Sequence, residues 1–539
     1  MSGVGQSAGT FIVMMIDYID AMSGTETTVP TPVGALPDPA DAPNVVYDPP
    51  LDRLREFSRE LETTTEFGSP SYVSEFRSRC ADRTKNAVDD ARRAAARDAR
   101  GDAVDDAFGA ADHALVDAAL EYAREHEMVC LDLRMGRHPE HSYRCRYYVP
   151  RRHARIALAL ANLFEPMGSS GEPDFLTVQV PEWEEVAIRV LPDSGVTAVL
   201  GTDYTGEAKK SFLRLFMYRA KGRGGLGLHA GSKRVDLRTA SGEDRTVGQL
   251  FLGLSATGKS TLTAHGLGLR EPESATMLQD DVVALLPDGT VVGSEGRGLY
   301  VKTIGLDPEE QPAMYDAVTH ESAVLENVAV DDDGSVDFDS DAHTTNGRAA
   351  VRREHLPSAD PEVDLGRVDQ VFFITRNPLM PPVAKLSKSQ AAAAFMLGES
   401  VETSAGDPSR IGESIRVVGT NPFIIGSKGA EGNRFRDLID DLNLDCFVLN
   451  TGRVGARDVG VTESVTLLRE VARGTVEWTT DETTGLTVPS HVPGMDVGAF
   501  AVADNVADHE RVLRALRDER RAYLAGFEDL DGAIADAVY

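Results

Sequence analysis

The residues best suited to chemistry stand at Gly253-Leu254-Ser255-Ala256-Thr257-Gly258-Lys259-Ser260-Thr261. This is G-x-x-x-x-G-K-[ST], entered from the apolar run Leu250-Phe251-Leu252 and followed by Leu262, Ala264 and Leu267. Strand, glycine loop and helix in that order make a phosphate cradle. The glycines let backbone N–H groups turn inward, and the helix N-terminus adds its positive dipole end. Lys259 supplies a point charge for the β- and γ-phosphates, and Ser260 a hydroxyl for Mg²⁺. A chance glycine turn is the plain alternative, but such a turn has no need of the flanking strand and helix. The loop therefore predicts a nucleoside triphosphate site. Asp280-Asp281 lies in an apolar stretch predicted as a strand over 277–286. Phosphoryl-transfer sites hold their metal with an acidic residue so placed. Neighbouring strand residues face opposite ways, so each carboxylate could serve a different cation. A solvated acidic turn is the competing reading in so acidic a chain.

Lysine usage points to the same stretches. Of 55 basic residues only ten are lysine, and the formal charge is −31. Where a surface avoids lysine, those retained are the ones needed as amines, and Lys209, Lys210, Lys259 and Lys302 all fall in such stretches. Lys85 and Lys221 read as ordinary helix residues. The acidic, lysine-poor composition suits a salt-rich cytoplasm, where screening tolerates self-repulsion, so a halophilic source is expected. It argues against nucleic acid as a partner, since neutralising phosphates needs a basic face. Cys80, Cys130, Cys145 and Cys446 form no C-x-x-C pair and read as reduced structural thiols. No apolar run approaches the roughly 20 residues needed to span a bilayer. A cytoplasmic protein without membrane contact is expected, and the oligomeric state stays open.

The elements that must position these residues read as an α/β chain. With 539 residues, 42% hydrophobic and 26% charged, there is length for two or three cored domains. Residues 1–50 read as a flexible leader, rich in Pro, Thr, Asp and Ala. From 51 to about 127 the pattern is mostly helical, including a charge-laced helix over 90–100 and an amphipathic one over 114–123. Strands are expected over 129–133, 144–149, 175–180, 186–191 and 196–200, with a helix over 154–164. A helix over 209–219 carries the lysine pair, and the strand before the glycine loop starts near Thr246. Further strands fall over 371–374 and 446–450, and helices over 388–397, 431–442, 463–472 and 508–520. A composition shift over 231–246 marks a domain boundary, giving domains 51–235 and 236–539.

Several ordered motifs resemble those of the ATP-using phosphoenolpyruvate carboxykinases. Beside the glycine loop stand Gly201-Thr202-Asp203-Tyr204-Thr205-Gly206-Glu207-Ala208-Lys209-Lys210, similar to G-T-x-Y-x-G-E-x-K-K, and Glu295-Gly296-Arg297-Gly298-Leu299-Tyr300-Val301-Lys302-Thr303, similar to E-G-G-C-Y-A-K-T. Pro381-Pro382-Val383-Ala384-Lys385-Leu386 resembles P-P-V-x-K-L, and Asn346-Gly347-Arg348 resembles N-x-R. The resemblance implies a two-domain α/β architecture with mixed sheets, residues 51–235 binding substrate and 236–539 binding nucleotide. It implies that oxaloacetate and ATP give phosphoenolpyruvate, CO₂ and ADP, with Mg²⁺ and Mn²⁺ as cofactors. Lys210, His229 and Asp281 would hold Mn²⁺, and Ser260 would bind Mg²⁺. A lysine ligates only when neutral, so Lys210 would need its pKa depressed by the cation and by Lys209. His229 alone would read as a structural histidine. Arg137 would clamp a substrate carboxylate, Tyr204 would pack against the small substrate, and Arg348 would bridge substrate and γ-phosphate. Lys209, Lys259 and Lys302 would spread transition-state charge. Asp280, Gln311 and Arg457 would join the glycine loop around the nucleotide.

The chain departs from the family pattern in places. Glu140-His141-Ser142 follows the Gly-Arg-x-Pro turn where lysine and aspartate are usual. Val282-Val283-Ala284-Leu285 replaces the residues that normally follow the aspartate pair, and Gln311 stands where the family has glutamate. These changes leave the transfer chemistry intact and bear on the choice of base. GTP as phosphoryl donor, or another P-loop kinase, are the alternatives. A generic kinase, however, has no use for the lysine pair, His229 and Arg137 together.

Overall fold

A computed structural model of the chain describes residues 36–76, 80–88, 108–254, 257–309, 311–401 and 414–539. The expected helix over 90–100, most of the expected leader, and Ser255 and Ala256 of the glycine loop lie outside the described residues.

One mixed eight-stranded sheet runs in the order Val45–Tyr47, Met128–Met135, Tyr143–Pro150, Phe175–Val180, Val196–Leu200, Ala187–Leu191, Thr84–Asn86, with Glu165–Pro166 paired onto Met128–Met135. Its strands alternate between two cores, as a period of two requires. Val129, Leu131 and Leu133 join Ile156, Leu160 and Phe212 on one face. Met128 and Cys130 join Val116 and Leu120 of helix Ala110–Glu125 on the other. Helices Ala154–Leu163 and Thr205–Gly222 cover the first face. All four cysteines are buried thiols.

A second eight-stranded sheet has the order Ser274–Gln279, Ala230–Arg238, Asp244–Leu252, Gln370–Thr375, Asp445–Asn450, Val383–Leu386, Thr487–His491, Glu477–Thr480. Its centre, Asp244–Leu252, Gln370–Thr375 and Asp445–Asn450, is parallel. The carboxyl ends of these three strands therefore meet at one crest, the place where open α/β sheets bind ligands. Thr451 ties the crest together: its N–H donates to Thr375 O at 2.9 Å and its hydroxyl to Thr257 O of the glycine loop at 2.7 Å.

Two smaller sheets join segments distant in sequence. One orders Gly298–Lys302, Arg348–Arg352, Val324–Glu326, Pro70–Tyr72 and Glu62–Thr64; the other orders Leu226–Leu228, Val283–Leu285 and Val291–Gly293. Both draw strands from either side of position 235. On the far flank, buried Arg520 of helix His509–Leu524 donates to Glu399 at 2.8 and 3.0 Å. Arg416 donates to the same carboxylate at 3.0 Å. Burial opposes the charge on Glu399, yet the two arginines hold its pKa down to about 2.

Three expectations are corrected. Among the described residues, the stretch from 51 to 127 is α-helical only over Leu51–Phe57 and Ala110–Glu125, with three-residue strands between them over Glu62–Thr64, Pro70–Tyr72 and Thr84–Asn86. Strands this short show no periodicity to read. Val45–Tyr47, inside the expected leader, pairs in parallel with Met128–Cys130. The expected strand over 277–286 is two strands, Ser274–Gln279 and Val283–Leu285, in different sheets. Asp280 and Asp281 occupy the bend between them, so they do not alternate across one strand.

Candidate active site

The crest strand Asp244–Leu252 delivers the glycine loop, which closes at Gly258 with φ 92°, a left-handed backbone that side chains disfavour. Helix Lys259–Ala264 follows and spans six residues. Lys233, fully buried on the neighbouring strand, donates through Nζ to Leu262 O at 2.6 Å and to His265 O. A cationic group thus caps the carbonyl end of the helix that carries Lys259 and Ser260. Burial lowers the Lys233 pKa to about 7.

Asp281, itself partly exposed, is the hub of a charge cluster whose Lys209, Lys259 and Glu295 are buried. Its Oδ2 accepts from Lys209 Nζ at 2.7 Å; its Oδ1 stands 3.0 Å from His229 Nε2 and 3.5 Å from Lys259 Nζ. Lys209 also reaches Glu295 Oε1 at 3.1 Å. Five separate elements meet here: helix Thr205–Gly222, the end of strand Leu226–Leu228, helix Lys259–Ala264, the bend at Asp280-Asp281, and the segment after Val291–Gly293. Burial works against the charge on Lys209, but Asp281 and Glu295 outweigh it and hold its pKa above the ordinary lysine value. Burial also opposes the charge on Asp281, which its neighbours, Lys209 foremost, nevertheless keep well below the usual carboxylate range. Glu295 goes the other way: burial pushes it up to about 7 against the pull of Lys209.

The His229 ring has a determinable tautomer. Its Nδ1 lies 2.6 Å from the Thr420 carbonyl, which can only accept, so Nδ1 carries the proton. Burial and the Lys259 ammonium lower the His229 pKa and favour the neutral ring. Nε2 then presents a bare lone pair 3.0 Å from a carboxylate oxygen. Two acceptors this close call for a cation between or beside them, and Lys259 Nζ stands 3.3 Å from Nε2. At the glycine loop, Ser260 Oγ donates to Asp280 Oδ2 at 3.2 Å, while buried Asp280 Oδ1 has no hydrogen-bond partner among the described residues. Oxygen donors of this kind fit Mg²⁺, and the His229–Asp281 pair fits a transition cation such as Mn²⁺. Among the described residues no group of three or more His, Cys, Asp and Glu side chains converges.

Lys210 is placed apart from that pair. One residue along the helix from Lys209, it points about 100° around the axis, and its ammonium bonds Glu207 one turn back. Burial lowers its pKa, with Arg214 adding to the depression and Glu207 opposing it. The expected contribution of Lys209 is thus replaced by burial and Arg214. Lys210 Nζ stands 5.6 Å from the Tyr204 ring centroid. The Tyr204 hydroxyl accepts from Asn346 Nδ2 at 2.8 Å, and Asn346 Oδ1 accepts from Arg348 at 2.9 and 3.2 Å. Lys302 lies opposite Arg348 in the strand register. Tyr300 lies between these groups, 5.5 Å from the Arg348 guanidinium and 5.7 Å from Lys209 Nζ, and its hydroxyl donates to Glu326. Glu326 Oε1 in turn accepts from Thr205 N at 3.0 Å, anchoring the start of the lysine-bearing helix.

Other expected residues sit differently. Arg137 meets Gly296, next to Glu295, but is bonded to Glu165. Gln311 makes local contacts: Nε2 donates to Gly305 O at 3.2 Å, and its carbonyl caps the helix Pro312–Val318. Arg457 lies 4.7 Å over the Phe500 ring. Gly253 and Thr257 are buried, Leu254 is partly buried, and Thr257 Oγ1 donates to Leu254 O at 2.8 Å. The structure adds Glu295, Tyr300, Glu326 and Lys233 to the neighbourhood. Glu295 and Tyr300 stood inside a quoted motif, and Lys233 was a lysine in a lysine-poor chain, but nothing local marked their partners.

The sequence model of the phosphoenolpyruvate carboxykinase family, ATP type, matches residues 44–497. The match therefore begins well before the first quoted motif, the Gly-Arg-x-Pro turn at Gly136. The ATP-type phosphoenolpyruvate carboxykinase of Aeropyrum pernix is 40% identical over 381 residues, covering 70% of this chain and 76% of its own. That of Rhodopseudomonas palustris is 32% identical over 350 residues, 62% of either chain, and one from Salinibacter ruber is 28% identical over 446 residues, 77% and 79%. No described helix is long and apolar enough to cross a membrane. The chain belongs to the ATP-dependent phosphoenolpyruvate carboxykinases, carboxy-lyases that use ATP and divalent cations such as Mn²⁺ and Mg²⁺.

Proposed function

We propose that this chain decarboxylates and phosphorylates oxaloacetate with ATP at the crest where the glycine loop meets the Asp281 cluster, in a salt-rich cytoplasm. The two eight-stranded sheets are the cores of a substrate-binding and a nucleotide-binding domain. The observation that carries the reading is the meeting of Lys209, His229 and Lys259 on one partly buried carboxylate, Asp281. Such a site is built to hold negative charge that develops during reaction, not to deliver a nucleophile.

The glycine loop from Gly253 to Thr261 wraps the triphosphate, with Lys259 at the β- and γ-phosphates. Asp280 and Ser260 would hold Mg²⁺; His229 and Asp281, with Lys210 released from Glu207, would hold Mn²⁺. When bound, these cations polarise the substrate carbonyl and neutralise phosphate charge. Arg137 grips a substrate carboxylate and Tyr204 packs against the substrate. The C–C bond to the departing CO₂ breaks, leaving its electron pair on the carbonyl oxygen as an enolate. That oxygen attacks the γ-phosphorus in line, and the bond to ADP breaks. Lys209, Lys302 and Arg348 spread the charge of the transferring group. His229→Ala and Lys210→Ala should each abolish stimulation of phosphoenolpyruvate formation by Mn²⁺ while ATP still binds. Undiminished stimulation in either variant would remove that residue from the metal set.

A further inference from the structure

Arg137 enters the proposed function as the grip on a substrate carboxylate, yet its donors are almost fully committed within the protein. A guanidinium has five N–H donors. Nε and one hydrogen of Nη2 go to Glu165 Oε1, at 3.0 and 2.6 Å. The second hydrogen of Nη2 goes to Gly296 O at 2.9 Å, and Nη1 gives one to Pro361 O. One donor is left. Gripping a carboxylate with the guanidinium fork takes two parallel N–H groups, so substrate and Glu165 compete for the same edge.

The surroundings of Glu165 are built for an exchange. Its other oxygen, Oε2, accepts from Arg134 Nε at 2.9 Å and from Arg134 Nη2. Arg134 and Glu165 are register partners across an antiparallel pair of strands, so this bond is held by the sheet. When Oε1 lets go of Arg137, Glu165 keeps a charged partner and is not stranded. The carboxyl group also lies against Gly296, where a Cβ would stand 3.1 to 3.3 Å from it. A side chain there would crowd Glu165 and narrow the space in which it can swing.

We propose that Glu165 is an internal competitor for the Arg137 fork, a specificity-determining residue that admits only ligands whose carboxylate displaces its own, with Arg134 as the partner it retains. This rests on the reading that Arg137 grips oxaloacetate. The device sets a threshold: a monocarboxylate without a second anchor gains too little to open the fork, whereas a dicarboxylate held also at the cation cluster does. The apparent affinity is reduced by the fraction of time the fork is closed.

The test uses the full chain in high salt, with oxaloacetate kinetics at saturating ATP and cations, and calorimetric binding of oxalate as a non-reacting probe. Glu165→Gln, which keeps shape and removes the charge, should lower the oxaloacetate KM and the oxalate Kd about fivefold or more, with kcat and the ATP KM unchanged. Arg134→Gln should do the opposite, raising both, because Glu165 then spends itself wholly on Arg137. A purely structural role predicts weaker binding in both variants, and that result, or no change in either, overturns the proposal. Opposite signs support it even where one variant loses some stability. If the unaltered chain forms no phosphoenolpyruvate and binds no oxalate, the functional reading fails and the gate falls with it. If the unaltered chain is active and the signs agree, only the gate fails.

Discussion

Replacing Asp281 by Asn perturbs the site at its hub. The amide keeps the shape but removes the charge that Lys209, His229 and Lys259 face at 2.7, 3.0 and 3.5 Å. At an effective permittivity of about 20, the attraction is about 6 kcal/mol to Lys209 and about 5 kcal/mol to Lys259. Desolvation offsets most of this, and leaving buried charges short of a partner costs about 3–5 kcal/mol net. Glu295, itself pushed up to about 7 by burial, is the remaining carboxylate on Lys209. The variant should therefore melt earlier and lose its response to Mn²⁺. A loss of about 4 kcal/mol in transition-state stabilisation corresponds to about three decades in kcat/KM. The assay follows phosphoenolpyruvate against Mn²⁺ concentration at fixed Mg²⁺, with circular dichroism to show that the variant is folded. A folded Asp281→Asn protein within tenfold of the parent, with the same Mn²⁺ half-saturation, would refute the reasoning.

Three further outcomes follow from the described contacts. Lys233→Met leaves Leu262 O and His265 O without their buried donor; at about 1–3 kcal/mol for such a loss, the ATP KM should rise about tenfold while the oxaloacetate KM holds, and equal effects on both would contradict a role specific to the loop helix. Glu399 is held down to about 2 from an ordinary 4.5, so its contribution of about 3 kcal/mol is complete above pH 4.5 and is lost as pH falls through 2. Melting temperatures of the parent and Glu399→Gln should thus differ most at neutral pH and converge in acid; a constant gap would contradict the assignment. With a formal charge of −31, dialysis from molar to millimolar salt should lower the melting temperature, and a fold indifferent to salt would count against the halophilic reading.

What was legible in the sequence and what was not divides on physical grounds. Phe175–Val180, Val196–Leu200 and Lys388–Leu397 were placed to the residue, because each is a long apolar or capped run with one period. The glycine loop and the lysine pair were legible as types and spacings. Their partners were not, since Asp281, Glu295 and His229 reach Lys209 and Lys259 only through strands far apart in sequence. The bend at Asp280-Asp281 was hidden because the residues on either side are equally apolar, and a strand that changes sheets looks like one strand in sequence. The Glu207 contact of Lys210 follows from helix geometry and could have been read from the spacing of three. Glu165 could not: it has no motif, and only the strand pairing with Arg134 brings it to Arg137.

The central claim is that one buried crest joins a triphosphate loop to a cation-binding acceptor site. The most direct measurement incubates the purified chain in high salt with oxaloacetate, Mg²⁺ and Mn²⁺, and follows phosphoenolpyruvate with ATP or GTP as donor. The account predicts phosphoenolpyruvate and ADP in equal amounts with ATP, faster when Mn²⁺ is added to Mg²⁺. No phosphoenolpyruvate with either nucleotide would contradict it.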